Sequence, residues 1–220
     1  MRINKKLIYK CLRRGMAFTF NNSSTILQSS IYPSIDGFVF KKITQNELLF
    51  LDTYKTSEEV IIPPNCIKIT GQPFYQNHYI KKITIHDRIK DLPDKIFAYC
   101  EFLKEVRLTK NIKTIPVQAF MKCSSLVSVI FDGEEPNHIP NGTKVKPFAF
   151  NGCKSLEYIK LPDDLKIIHD DLFNGCFALK EVVLPSALEV IKPYAFNHCR
   201  KLNRIKFPDT LKITGTRCFG

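Results

Sequence analysis

Residues 149–162 read A-F-N-G-C-K-S-L-E-Y-I-K-L-P, residues 172–185 read L-F-N-G-C-F-A-L-K-E-V-V-L-P, and residues 195–208 read A-F-N-H-C-R-K-L-N-R-I-K-F-P. The segments lie 23 residues apart, and the same register extends through most of the chain. Phenylalanine stands at Phe74, Phe97, Phe120, Phe150, Phe173, Phe196 and Phe219, with spacings of 23, 23, 30, 23, 23 and 23. Three residues on come Asn77, Cys100, Cys123, Cys153, Cys176 and Cys199; three further are Ile80, Leu103, Leu126, Leu156, Leu179 and Leu202. An alternating pair such as Val106/Leu108 or Val182/Leu184 follows each time, and an aliphatic precedes each Phe by five positions except at Thr214.

A period of this length, with one coil's apolar positions repeated in the next, describes a solenoid. No coil buries its own edge, and stacking joins the edges into one core. The apolar-x-apolar pair predicts a short strand with two side chains inward and one outward. Pro and Asp after it, as in Leu161-Pro162-Asp163, end the strand and turn the chain. Segments such as Ala195-Phe196-Asn197 suit one turn of helix or 3₁₀. Seven strands at about 4.8 Å give a parallel sheet roughly 34 Å long.

These motifs resemble the BspA-like leucine-rich repeat, on the runs at 149–156 and 172–179 and their I/V-x-L-P continuations, over residues 60–220. The resemblance implies a right-handed repeat superhelix of the α/β horseshoe type, mostly β, with about seven coils, the last incomplete. It also implies a capping hairpin within residues 37–59, built from Phe38–Phe40 and Leu48–Leu51 around Gln45-Asn46. Covering the open end of a solenoid calls for such an element independently. The family's setting implies adhesion or host interaction, mostly at the cell surface. This chain departs from the pattern at Asn77, at Thr214 and through seven extra residues in the fourth coil. Because the last coil stops at Gly220, a partner over that end, or further chain, is expected.

Composition narrows the function classes. Of 220 residues, 44% are hydrophobic and 25% charged, with no apolar run near the roughly 18 needed for a membrane-spanning helix. The net charge of +12 favours an acidic partner. Residues 1–36 form a basic N-terminal arm or targeting segment, with Arg2, Lys5, Lys6, Lys10, Arg13 and Arg14. Lys10 and Arg13-Arg14 interrupt the apolar stretch a secretory signal requires, so an organellar presequence fits better. An arm on RNA through residues 1–35, on an anionic membrane or on an acidic protein fits equally. Localisation therefore stays open between the cell surface and an intracellular or organellar compartment. N-x-S/T triplets at Asn21, Asn22 and Asn141 matter only in a secreted chain.

Five of the eight cysteines hold one repeat position, which predicts a column of buried free thiols. A bridge between neighbouring coils and metal ligation compete with that reading, but zinc-type C-x₂₋₄-C pairs are absent. The five histidines do not converge along the repeat, and no nucleophile elbow, metalloprotease or phosphate-loop motif occurs. The Asp163-Asp164 and Asp170-Asp171 pairs fit turns. No catalytic residue, metal ligand or cofactor site is assigned, and the chain reads as a non-enzyme.

Partner contacts are expected on outward strand positions, coil edges and the insertion. The outward row includes Arg107, Ile130, Lys160, Val183 and Lys206. A second column holds Lys90, Lys113, Lys166 and Lys212, broken by Glu189, and a third holds Lys81, Lys104 and Lys180. Cations stacked at sheet spacing repel, and an acidic ligand would relieve that. The insertion, 132–142, carries Glu134, Glu135 and His138 and reads as a binding loop whose deletion over 133–139 spares folding. The leading expectation is a non-catalytic protein-interaction or adhesion module. The alternative is a basic scaffold subunit of a larger acidic assembly, ribonucleoprotein or cytoskeletal.

Overall fold

The computed structural model describes residues 31–33, 38–44, 47–53, 58–62, 64 and 66–219. The basic residues at 1–30 and the tip at Gln45-Asn46 lie outside them. Strands β1 (Ile31–Pro33), β2 (Phe38–Thr44) and β3 (Glu47–Thr53) form an antiparallel meander. Its first strand falls in the segment read from sequence as arm.

The solenoid follows, each coil making a front strand and, in most coils, a shorter back strand. Coil 1 has β4 (Glu59–Ile61) and β5 (Cys66–Ile69); coil 2 has β6 (Lys82–Thr84). Coil 3 has β7 (Glu105–Leu108) and β8 (Thr114–Ile115), and coil 4 has β9 (Ser128–Phe131) and β10 (Lys144–Val145). Coil 5 has β11 (Tyr158–Lys160) and β12 (Ile167–Ile168). Coils 6 and 7 have β13 (Glu181–Val183), β14 (Val190–Ile191), β15 (Arg204–Ile205) and β16 (Ile213–Thr214). Front strands pair in parallel as β4-β6-β7-β9 and β11-β13-β15. Their register is that of the repeat, with Val60, Ile83, Val106 and Val129 in line. The back strands form the parallel ladders β8-β10 and β12-β14-β16, while β3 pairs in parallel with β5 and so joins the meander to the first coil.

The helical or 3₁₀ turn expected around each Phe does not form, and the described residues contain no helix. The residues two before and two after Phe97 and Phe120 are left-handed: Lys95 and Tyr99 at φ 60° and 63°, Gln118 and Lys122 at 56° and 62°. Left-handed residues cannot continue a right-handed helix, so the chain makes successive turns and sends its N–H groups to the next coil. Phe97 N donates to Ala119 O at 3.0 Å, Phe120 N to Ala149 O at 2.8 Å, and Phe173 N to Ala195 O at 2.7 Å. This is a third ladder, along the Phe edge.

Inside, the seven Phe rings stack with centroids 5.2–5.6 Å apart and interplanar angles of 6–28°. The six from Phe74 to Phe196 are buried, while Phe219 is 42% exposed with Phe207 edge-on against it. Cysteines 100, 123, 153, 176 and 199 are free and buried beside them. Each thiol donates to the carbonyl of the preceding coil's Phe, at 2.9 Å for Cys100 to Phe74 and 3.0–3.2 Å for the others. In the first coil Asn77 holds the slot instead, its Oδ1 accepting from Tyr79 N and Ile80 N.

Candidate docking surfaces

The front register aligns Ile61, Thr84, Arg107 and Ile130 in one outward row. Lys160 and Val183 continue it beyond the fourth coil, with Lys206 one repeat further. Between the two halves stands the insertion. Asn137 N donates to Val129 O at 2.8 Å, Lys160 N donates to Asn137 O at 2.9 Å, and Ile139 N donates to Lys160 O at 3.0 Å. His138 is bridged in parallel to Lys160. Residues 137–139 are thus an additional rung wedged between β9 and β11, which do not pair directly.

This corrects the reading of the insertion as dispensable for folding. Asn137 and Ile139 are buried, and the Asn137 side chain finishes the edge of β9: its Oδ1 accepts from Val129 N at 2.8 Å and its Nδ2 donates to Val127 O at 2.9 Å. Its backbone is left-handed, φ 63°, a conformation Asn tolerates better than most residues. The exposed parts are 132–136, with Glu134 and Glu135, and Asn141-Gly142. Asn137→Ala strands one buried donor and one acceptor, each costing about 1–3 kcal/mol. We expect a loss of about 2–4 kcal/mol in urea unfolding, whereas Glu134→Ala with Glu135→Ala should change stability by less than about 0.5 kcal/mol.

His138 Nε2 lies 2.9 Å from the Tyr158 hydroxyl, on the outward side of the sheet. Burial, and then the charge of Glu181, push the Tyr158 phenol up. The structure therefore brings Arg107, Ile130, His138, Lys160, Val183 and Lys206 into one row. It separates from them Lys90, Lys113, Lys166 and Lys212, which belong to the back of the coils: Lys113, Lys166 and Lys212 each immediately precede a back strand.

The lysine columns are also less repulsive than stacked cations would be, because acids one coil away pair with them. Lys81 meets Glu58 at 2.6 Å and Lys180 meets Glu157 at 2.7 Å, while Glu189 takes both Lys166 and Lys212 at 3.6 and 2.9 Å. Hydrogen bonds from Lys180 and Lys212, with their charges, hold Glu157 and Glu189 below the usual carboxylate range. Arg107 pairs with Glu105 and Arg204 with Glu181. Among the described residues no ion pair holds Lys90, Lys113, Lys160 or Lys206. Nor do three His, Cys, Asp or Glu side chains there gather as metal ligands, and the described residues form no helix long and apolar enough to cross a membrane.

Residues 17–142 and 135–220 match the BspA type leucine rich repeat region, in six copies, and the chain belongs to that family. Its proteins are typically protein-interaction or adhesion modules. Among solved structures, a leucine rich cell surface protein from Faecalibacterium prausnitzii aligns over 90% of this chain and 53% of its own, with TM-score 0.68 and 23% identity. A leucine-rich repeat protein from Bacteroides ovatus aligns over 82% of this chain and 54% of its own, with TM-score 0.63 and 25% identity. One from Eubacterium ventriosum gives 84% and 49%, with TM-score 0.65 and 24% identity. The chain thus spans about half the length of these structures. No functionally curated protein matches the sequence.

Proposed function

We propose that the chain is a non-catalytic interaction module that docks an acidic protein surface along its front sheet, with the exposed part of the insertion at the margin of the contact. The observation carrying this reading is the single row of Arg107, Ile130, His138, Lys160, Val183 and Lys206. Aliphatic side chains there supply area, while Lys160 and Lys206, free of ion pairs, supply attraction for carboxylates. Within the row Arg107 is paired with Glu105, so Lys160 and Lys206 carry its unpaired charge.

The test uses a Glu-rich peptide as probe and duplex RNA as competitor. Reversing Lys160 and Lys206 to Glu should weaken peptide binding on the order of tenfold, about 1.4 kcal/mol, and Ile130→Ser with Val183→Ser should weaken it further. Reversing Lys90 and Lys113 should leave it unchanged. Tighter binding to RNA, falling steeply between about 50 and 200 mM salt, or a dominant effect of the back lysines, would favour the scaffold in an acidic assembly and refute front-sheet docking.

A further inference from the structure

The chain contains three Asn-Gly pairs, Asn141-Gly142, Asn151-Gly152 and Asn174-Gly175. This dipeptide is intrinsically prone to ring closure, because the glycine nitrogen reaches the Asn amide carbon with no side chain in the way. The fold treats the three differently. Gly152 N donates to Asn174 O at 2.7 Å and Gly175 N to Asn197 O at 2.8 Å, both within the Phe-edge ladder. Their nitrogens are held by rigid backbone, and the Asn174 amide is tied to Asp171 at 2.6 Å.

At the first pair both residues are exposed, and a Cβ on Gly142 would meet nothing within 4 Å. Gly142 N–H donates to the two carboxylate oxygens of Asp164, at 3.1 and 3.0 Å. Asn141 Oδ1 accepts from Asp163 N–H at 2.8 Å. The attacking nitrogen therefore faces a proton acceptor, and the oxygen that gains charge faces a donor. These are the two aids that general-base and oxyanion stabilisation supply to acyl transfer.

We propose that Asn141 is a self-modification site, at which the folded chain promotes its own deamidation. Gly142 N bonds to Asn141 Cγ as its proton passes to the Asp164 carboxylate, and Asp163 N–H stabilises the tetrahedral oxyanion. The Cγ–Nδ2 bond then breaks, and the nitrogen leaves as ammonia with the proton returned from Asp164. Water opens the succinimide at either carbonyl, giving aspartate or isoaspartate. The net change is Asn plus water to a carboxylate plus ammonium, the released ammonia taking up the proton of the new acid. It places a new negative charge beside Asp163 and Asp164, where the insertion meets the coil 5 turn.

The full chain is incubated in near-neutral buffer, folded or in denaturant, and the three sites are followed by peptide mapping and mass spectrometry. In the folded protein Asn141 should convert on the order of tenfold faster than Asn151 and Asn174, and faster than Asn141 itself in denaturant, where the three rates should converge. Asp164→Asn should slow Asn141 several-fold while leaving the melting curve in place. Equal rates at the three folded sites, a folded Asn141 slower than the denatured one, or an Asp164→Asn rate unchanged or raised would each overturn the proposal. The folded-against-denatured comparison stands even where the variant disturbs the turn.

Discussion

Raising the pH above about 9 should unfold this protein over an unusually narrow interval. Burial pushes the Cys100 and Cys199 thiols up to about 12 from an ordinary 9.0, and drives Cys123, Cys153 and Cys176 well up too. In the unfolded chain all five lose their protons as pH passes 9; in the folded chain they keep them. The unfolded state then binds fewer protons, so stability falls with rising pH. That stability is complete below the unfolded value and is lost progressively as pH climbs towards the folded one. Each thiol contributes on the order of 1 kcal/mol per pH unit in this window, and five together on the order of 5. A domain of ordinary stability, about 5–15 kcal/mol, is exhausted within roughly one to three units. Urea unfolding followed by circular dichroism at successive pH values gives the slope. Cys153→Ala should reduce it by about a fifth, and iodoacetamide at pH 8 should leave the native column unmodified. An unaltered slope, or rapid native labelling, would mean that these thiols reach solvent.

Truncating the middle of the ring stack should break the coil-to-coil coupling. Phe150 is fully buried between Phe120 at 5.3 Å and Phe173 at 5.6 Å. Removing a buried Phe ring costs about 3–5 kcal/mol, including the two ring contacts at about 0.5–1.5 kcal/mol each. In a linear repeat the loss is local to one interface, so the coils on either side should begin to unfold separately. Phe150→Ala should therefore lower the urea midpoint and broaden or split the transition. Phe219→Ala, at a ring that is 42% exposed with a stacked neighbour on one side, should cost far less. Equal losses at the two positions would show that the stack contributes little beyond burial.

What could be read from sequence was whatever repeats as side-chain chemistry. The Phe, Cys and Leu columns recur as the same residues, so the coil and its buried thiols were legible. The left-handed corner two residues after each Phe is Gln76, Tyr99, Lys122, Gly152, Gly175 and His198. Its demand is on the backbone, and Gly152 and Gly175 alone carry a trace of it in residue type. The back strands escaped for a related reason: two residues such as Thr114-Ile115 are too short to show a period. The outward row was legible because its side chains alternate with buried ones. Ion pairs such as Lys81–Glu58 and Lys180–Glu157 also lie one repeat apart in sequence, but they come into view only when columns of opposite charge are compared coil by coil. The wedge at Asn137 rests on one residue and had no repeated signal at all.

Near-identical coils pose an alignment problem, since a strand displaced by one whole coil finds the same apolar partners in the same places. The wedge at 137–139 removes that ambiguity at one point: β9 and β11 each meet a strand unlike any other in the stack. Sliding the upper coils past the lower by a full repeat would leave Asn137 with no β9 edge to finish, and β9 with two buried groups unanswered. The irregular coil acts as a registration key, fixing which coil sits on which in a molecule whose other interfaces are nearly interchangeable.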